Sequence, residues 1–355
     1  MKSSLKLALA IISILAISFF SFSAAASNLP AKKYKHTKTN PAITKIINKR
    51  TSITASNKKI YDVSAEVMIN NKDYPLNTLV VILPLPQNIG DYQIISDINT
   101  NGGDTITDST TGAQYVRYTL NNSPAQGESR TVKLNYKATL KNINTAFATT
   151  SGQYQNSTMT TRYTSQNLPY IDPQESRIQA IGDNLWQQAN KNKVEYARLA
   201  YEYVARHYQY TNPNTGIYPL DTILNQNGGD CGNLTSIYIS LLRYQNIPAR
   251  HDVGVLTNGT FHAWAEFLTP DGVWVPADVT YKNSDTQGDY FGKFSSDGYR
   301  IIFNHDFNIA LNTGVANWTP NVPLLQTFGW WIWGNSDQID GHITPAYSIK
   351  IEPVN

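Results

Sequence analysis

Cys231 is the only cysteine in this chain of 355 residues. A single thiol excludes an intrachain disulfide, a zinc ribbon and a thiolate-ligated iron–sulfur cluster, so the fold must be held by its core alone. Apolar residues make up 41% of the chain, enough for a sizeable core. Charged residues make up only 15%, against about 25% in an average soluble protein. The polar surface must therefore come from Asn, Gln, Ser, Thr and Tyr. A net charge of +3 gives no imbalance that would select DNA, RNA or an acidic membrane. A lone cysteine is either a small buried hydrophobe or a reactive thiol, and the residues around Cys231 bear on which it is.

Residues 1–26 read as a secretory signal peptide. Lys2 and Lys6 precede an apolar run from Leu7 to Phe22, too short for an ordinary membrane span, and Ala24-Ala25-Ala26 is a small-residue cleavage site. Removing this segment leaves 27 basic and 26 acidic residues, close to neutral. The expectation is a secreted or periplasmic protein with no stable membrane insertion after cleavage. Residues 27–59 are polar and Lys-rich, with Pro30 and Pro41, and read as a linker.

From residue 60 to residue 155 the pattern is that of short strands. Tyr61, Val63, Ala65, Val67 and Ile69 alternate with polar residues, and Leu79 to Leu83 is an apolar run closed by Pro84-Leu85-Pro86. Turn signals at Asn101-Gly102-Gly103 and Thr111-Gly112 complete the picture of a small β-sandwich. Helical spacing begins after Asp172-Pro173: Ile178, Ile181 and Leu185 in one helix, Ala197, Ala200, Tyr201, Val204 and Tyr208 in a second. In a third, Leu234, Ile237, Tyr238, Leu241 and Leu242 recur at i, i+3, i+4, i+7 and i+8. Asp230 is its candidate N-cap and Asn246-Ile247-Pro248 its stop, which puts Cys231 in the first turn. Strands follow at 250–256, 261–267 and 273–277, and the segment from Tyr299 to Asn355 is expected to complete the same sheet.

A helix N-terminus favours a thiolate, and so does a neighbouring imidazolium held by an acceptor. Pro270-Asp271-Gly272 forms a hairpin turn between the last two strands. If Thr269 pairs with Val273, Asp278 is the diagonal neighbour of His262; if the loop starts one residue earlier, the two lie directly opposite. In both registers their side chains share a face. Asp278 can then hold one imidazole nitrogen and leave the other for Cys231, the logic of a nucleophile–histidine–acid triad. Trp264 and Glu266 share the face of His262, Trp264 as a wall of the cleft and Glu266 as a partner for a basic residue. Asn225 and Gln226, just before Cys231, are candidates to complete an oxyanion hole with the Cys231 backbone amide. His251 reads as structural. None of the six histidines forms a paired-ligand motif, so no metal and no cofactor is implied.

Gly229-Asp230-Cys231-Gly232, Leu242-Arg243 with Ile247-Pro248-Ala249-Arg250, His262-Ala263-Trp264-Ala265-Glu266 and Trp274-Val275-Pro276-Ala277-Asp278 together resemble the transglutaminase-like superfamily. The resemblance implies an α+β, papain-like core over residues 156–355, with helices packed on an antiparallel sheet behind the small β-sandwich domain. It implies Cys231 as nucleophile, His262 as general base and acid, and Asp278 as orienting acid. The implied activity is cysteine-dependent acyl transfer on a peptide or glutamine side-chain amide, with hydrolysis favoured over cross-linking. The substrate would be a protein or peptide, with a carbohydrate partner left open and no nucleic acid. The rival reading is a catalytically silent binding or adhesion module of the same fold.

Overall fold

The computed structural model describes residues 50–148, 153–154, 157–211, 216–294, 299–334 and 340–354. The signal segment 1–26 and most of the linker lie outside the described residues. Among the described residues, no helix is long and apolar enough to cross a membrane.

The chain opens with six strands: β1 (Ser52–Asn71), β2 (Leu76–Pro84), β3 (Gln93–Asn99), β4 (Asp104–Thr107), β5 (Gln114–Asn121) and β6 (Glu128–Ala146). Three helices follow, α1 (Thr158–Thr164), α2 (Ser176–Gln188) and α3 (Lys193–His207). The short β7 (Gln209–Tyr210), α4 (Leu220–Asn225) and β8 (Gly228–Gly229) lead into α5 (Cys231–Tyr244). Then come β9 (Ala249–Leu256), β10 (Phe261–Leu268), β11 (Trp274–Ala277), α6 (Val279–Ser284), β12 (Lys293–Phe294) and β13 (Arg300–Asn304). The chain closes with β14 (Ile309–Ala310), β15 (Asn321–Val322), β16 (Gly329–Gly334) and β17 (Ile343–Pro353). The architecture is α+β with antiparallel main sheets.

Two sheets, β12-β6-β1-β17 with β3 on β6, and β16-β2-β5-β4, face each other across a common core. Val63, Val67 and Ile69 of β1 and Leu134 and Ala138 of β6 meet Leu79, Val81 and Leu83 of β2. The opposite face of β2 is covered too, Val80 and Ile82 packing with Ile309, Leu311 and Trp331. A strand buried on both faces has no polar side to alternate, which is why Leu79 to Leu83 is unbroken. β1 begins at Ser52, so residues 52–59, read as linker, are strand paired with β6. Their side chains are largely exposed and polar, with only Ile53 and Ala55 half-buried against the core.

The strands after residue 305 divide differently from expectation. β13 joins the sheet β11-β10-β9-β13, but β16 pairs with β2 and β17 with β1. The C-terminal strands thus complete the sandwich rather than the sheet behind Cys231. Alternation sets which face of a strand is buried, not which sheet it joins.

That sheet lies between the helices and the sandwich. Ala249, Ala265, Phe267 and Val275 face the helices, while Trp264 and Ile302 meet Ile143 and Phe294 on the other side. α5 is buried from Gly232 to Arg243, so it is a central helix rather than an amphipathic surface one. β13 approaches β9 so closely that a Cβ at Gly254 would sit 1.9 Å from the Ile301 carbonyl oxygen. Gly254→Ala is expected to lower the urea midpoint by an amount equivalent to about 1–3 kcal/mol, the range of overpacked cores, with the denaturant slope unchanged.

Candidate active site

Cys231 opens α5. Asp230 caps the helix: its carboxylate accepts from Asn233 N at 3.1 Å and from Asn233 Nδ2 at 2.8 Å. Asn233, fully buried, uses its amide to bind the preceding loop, accepting from Tyr218 N at 2.9 Å and donating to Gly216 O at 3.1 Å. The loop before the helix is pinned as well. β8 pairs in parallel with β7, and a Cβ at Gly228 would meet Gln209 O at 2.1 Å. This pairing sets Tyr210, 46% exposed, opposite Gly229 and close enough to Cys231 for their charges to interact. Nothing in the spacing of the sequence singles out Tyr210.

The hairpin takes the first of the two registers, with Thr269 N donating to Val273 O at 2.8 Å and Ala265 opposite Ala277. Strand pairing stops there, and Asp278 turns out to cap α6, its Oδ1 accepting from Tyr281 N at 3.0 Å. Its other oxygen, Oδ2, lies 2.7 Å from His262 Nε2. Both side chains are buried. An ionised carboxylate can only accept, so Nε2 carries the proton and Nδ1 is left as the acceptor nitrogen.

Asp278 Oδ2 also accepts from Arg300 Nη2. Arg300 enters from β13 with only 3% of its side chain exposed, and its guanidinium lies over the rings of Trp264, Tyr281 and Phe294. Burial alone would raise the Asp278 carboxyl, but the charges of His262 and Arg300 outweigh it and hold the group at about 2. Sequence reasoning missed Arg300. Its signal was a single charge inside the apolar run Tyr299-Arg300-Ile301-Ile302-Phe303, a placement arginine rarely takes unless paired.

Around Cys231 the electrostatics oppose one another. Burial and the Asp230 carboxylate push the thiol up, as does Asp278, while the backbone amides of Ala263 and Gly232 favour the thiolate; the balance lies at about 12. The Ala263 amide places the sulfur beside the strand residue that follows His262.

The remaining candidates fall elsewhere. Trp264 is fully buried, stacked on His262 with ring centroids 5.7 Å apart and edge-on to Phe294. It therefore underlies His262 and does not wall an open cleft, because the sandwich covers that face of the sheet. Asn225 is exposed, its amide held by Arg177 at 2.7 Å and Asp221 at 3.0 Å. Gln226, also exposed, donates to Gly228 O at 2.9 Å. Both amides are engaged with the chain itself, which is not the arrangement expected of oxyanion donors. His251 is buried under the first turn of α5, its Nε2 donating to Gly232 O at 3.1 Å, and burial holds it neutral by pushing it down to about 3.

Asp252, Glu266 and His305 present ligand atoms within 4.8 Å of one another. Arg250, however, already donates twice to Glu266 Oε2, at 3.0 and 2.6 Å, and His305 Nδ1 lies 2.6 Å from Asp252 Oδ1. A cation there would face the Arg250 guanidinium, so the cluster acts as an ion network. Tyr92 of the sandwich donates to Glu266 Oε1 at 3.1 Å and ties the two halves together.

The comparisons with known proteins bear on this arrangement. A family model for the transglutaminase-like superfamily matches residues 179–279, a span that contains Cys231, His262 and Asp278. No curated protein matched the sequence. Among solved structures, a candidate cysteine protease from Cytophaga hutchinsonii is similar with a TM-score of 0.55 at 12% identity, over 85% of this chain and 92% of that one. The periplasmic domain of TgpA from Pseudomonas aeruginosa matches with a TM-score of 0.34 at 16% identity, over 62% of this chain and 91% of that one. The first of these has a similar fold over most of this chain. Residues 179–279 of this chain are thus similar to the core of the transglutaminase-like superfamily.

Proposed function

We propose that the chain is an exported, cysteine-dependent acyl-transfer enzyme acting on amide bonds of a protein or peptide, with Cys231 as nucleophile, His262 as base and acid, and Asp278 as orienting acid. The observation that carries this reading is the buried His262–Asp278 bond of 2.7 Å at the strand end whose next amide meets the Cys231 sulfur. In the first step the Cys231 sulfur attacks the amide carbon and its proton passes to His262 Nδ1. The C–N bond then breaks, His262 returns that proton to the leaving nitrogen, and a thioester remains. Water, activated by the same imidazole, hydrolyses the thioester and regenerates the thiol. We favour water over an amine as the acyl acceptor by analogy with the candidate cysteine protease of similar fold. The oxyanion would meet the Cys231 backbone amide at the start of α5, and Gln226 would have to turn from Gly228 O to join it.

The surroundings of Cys231 favour the rival reading, a silent binding module: burial and the Asp230 carboxylate push the thiol up, against formation of the thiolate. In the enzyme the proton goes to His262 instead, and the thiolate forms only as half of an ion pair. Alkylation by iodoacetamide separates the two, because Cys231 is the only thiol. The wild-type chain is expected to react near pH 7 at least about tenfold faster than His262→Ala. Equally slow labelling of both would leave the binding module as the better account.

A further inference from the structure

We propose that Arg300 is a positioning residue of this site: from a strand outside the hairpin, it fixes the Asp278 carboxylate in place and keeps it charged for His262. The inference rests on the triad reading above and deepens it. Three features of the geometry carry it. Arg300 Nη2 and His262 Nε2 bond the same oxygen, Asp278 Oδ2, while Oδ1 caps α6. The carboxylate therefore has no orientation left to choose. Arg300 is itself immobilised, nearly buried and clasped by Trp264, Tyr281 and Phe294. Trp264 also stacks on His262, and Tyr281 meets it edge-on at 5.2 Å, so the same two rings frame the guanidinium and the imidazole.

The charge matters as much as the shape. A buried carboxylate facing only a neutral imidazole would tend to take up a proton, and a neutral acid would no longer stabilise an imidazolium. Arg300 supplies a permanent positive charge that prevents this. The groups facing Asp278 are His262 from β10, Cys231 from the start of α5, Tyr281 from α6, Tyr290 from the segment after it, Tyr201 from α3, and Arg300 from β13. Each of the three phenols is raised from its ordinary value by burial first, and stays protonated. Arg300 is thus the permanent cation in this set.

The test is the pH profile of Cys231 alkylation by iodoacetamide in the full chain, for wild type, Arg300→Gln, Arg300→Lys and His262→Ala, each checked for fold by circular dichroism. Arg300→Gln is expected to move the acid limb of the profile up by about one pH unit and to slow the plateau several-fold. Arg300→Lys keeps the charge but not the planar fork, so its acid limb should stay near that of wild type while its plateau falls. A folded Arg300→Gln with the wild-type profile would overturn the proposal, and so would Gln and Lys variants shifted alike. If Arg300→Gln does not fold, Arg300→Lys decides alone: an acid limb moved by a full unit despite the retained charge overturns the proposal. Coincident profiles for wild type and His262→Ala would instead overturn the triad reading, whatever Arg300 does.

Discussion

Cys231→Ala is expected to lose all turnover above background, a fall of about 10^6-fold on the scale seen when a catalytic nucleophile is deleted. The physical reason is that no other group can form the covalent bond. The chain has no second thiol, and in the proposed mechanism His262 and Asp278 serve only to move and steady a proton. The fold should survive the change. Cys231 lies at the very start of α5, whose cap is Asp230 and whose packing runs from Gly232 onward. A peptide library assayed with and without a primary amine, using wild type and Cys231→Ala, would measure this directly. New peptide termini mark hydrolysis, and amine incorporation marks transfer. A variant that kept its activity would remove Cys231 from the mechanism altogether.

Asp278→Ala is expected to damage both stability and chemistry. It takes a carboxylate partner from the buried Arg300, and it removes the cap of α6, worth about 1 kcal/mol. A midpoint in urea that barely moved would contradict this account of Arg300. Asp278→Asn keeps the shape but not the charge, and turnover should still fall by about 10^4-fold, as when a triad acid is replaced by its amide. The wild type should also show a specific acid sensitivity. The Asp278 carboxyl lies at about 2 in the folded chain, below its ordinary value of 3.8. A lowered folded value stabilises the fold above pH 4, and that contribution is lost as the pH falls from about 4 to about 2. The amount is on the order of 2 kcal/mol, and it should be absent from the pH dependence of Asp278→Asn.

Much of this site was legible in the sequence because its chemistry depends on local rules. Helix spacing and an N-cap put Cys231 in the first turn of α5. A three-residue hairpin with a period of two put His262 and Asp278 on one face. Those relations involve neighbours in the chain, and α5, β10 and β11 begin and end within a residue or two of where the pattern placed them. What sequence reasoning got wrong was non-local. Trp264 reads as a cleft wall until the sandwich is seen to cover its face of the sheet. The strands after residue 305 read as part of the nearest sheet, whereas β16 and β17 return to β2 and β1.

The sequence by itself therefore determined the helix that Cys231 opens, the hairpin, and the order of Cys231, His262 and Asp278 along the chain, since spacing and turn chemistry set these within a few residues. Only the tertiary structure decided what surrounds them. It brought Arg300 across from β13 to the same Asp278 oxygen that His262 bonds, laid Tyr210 near the thiol, and turned Asn225 and Gln226 to other partners. Burial and opposing charge are properties of the assembled fold, so the thiol's rise to about 12 and the carboxyl's fall to about 2 exist only once the sheet, the helices and the sandwich have closed around them.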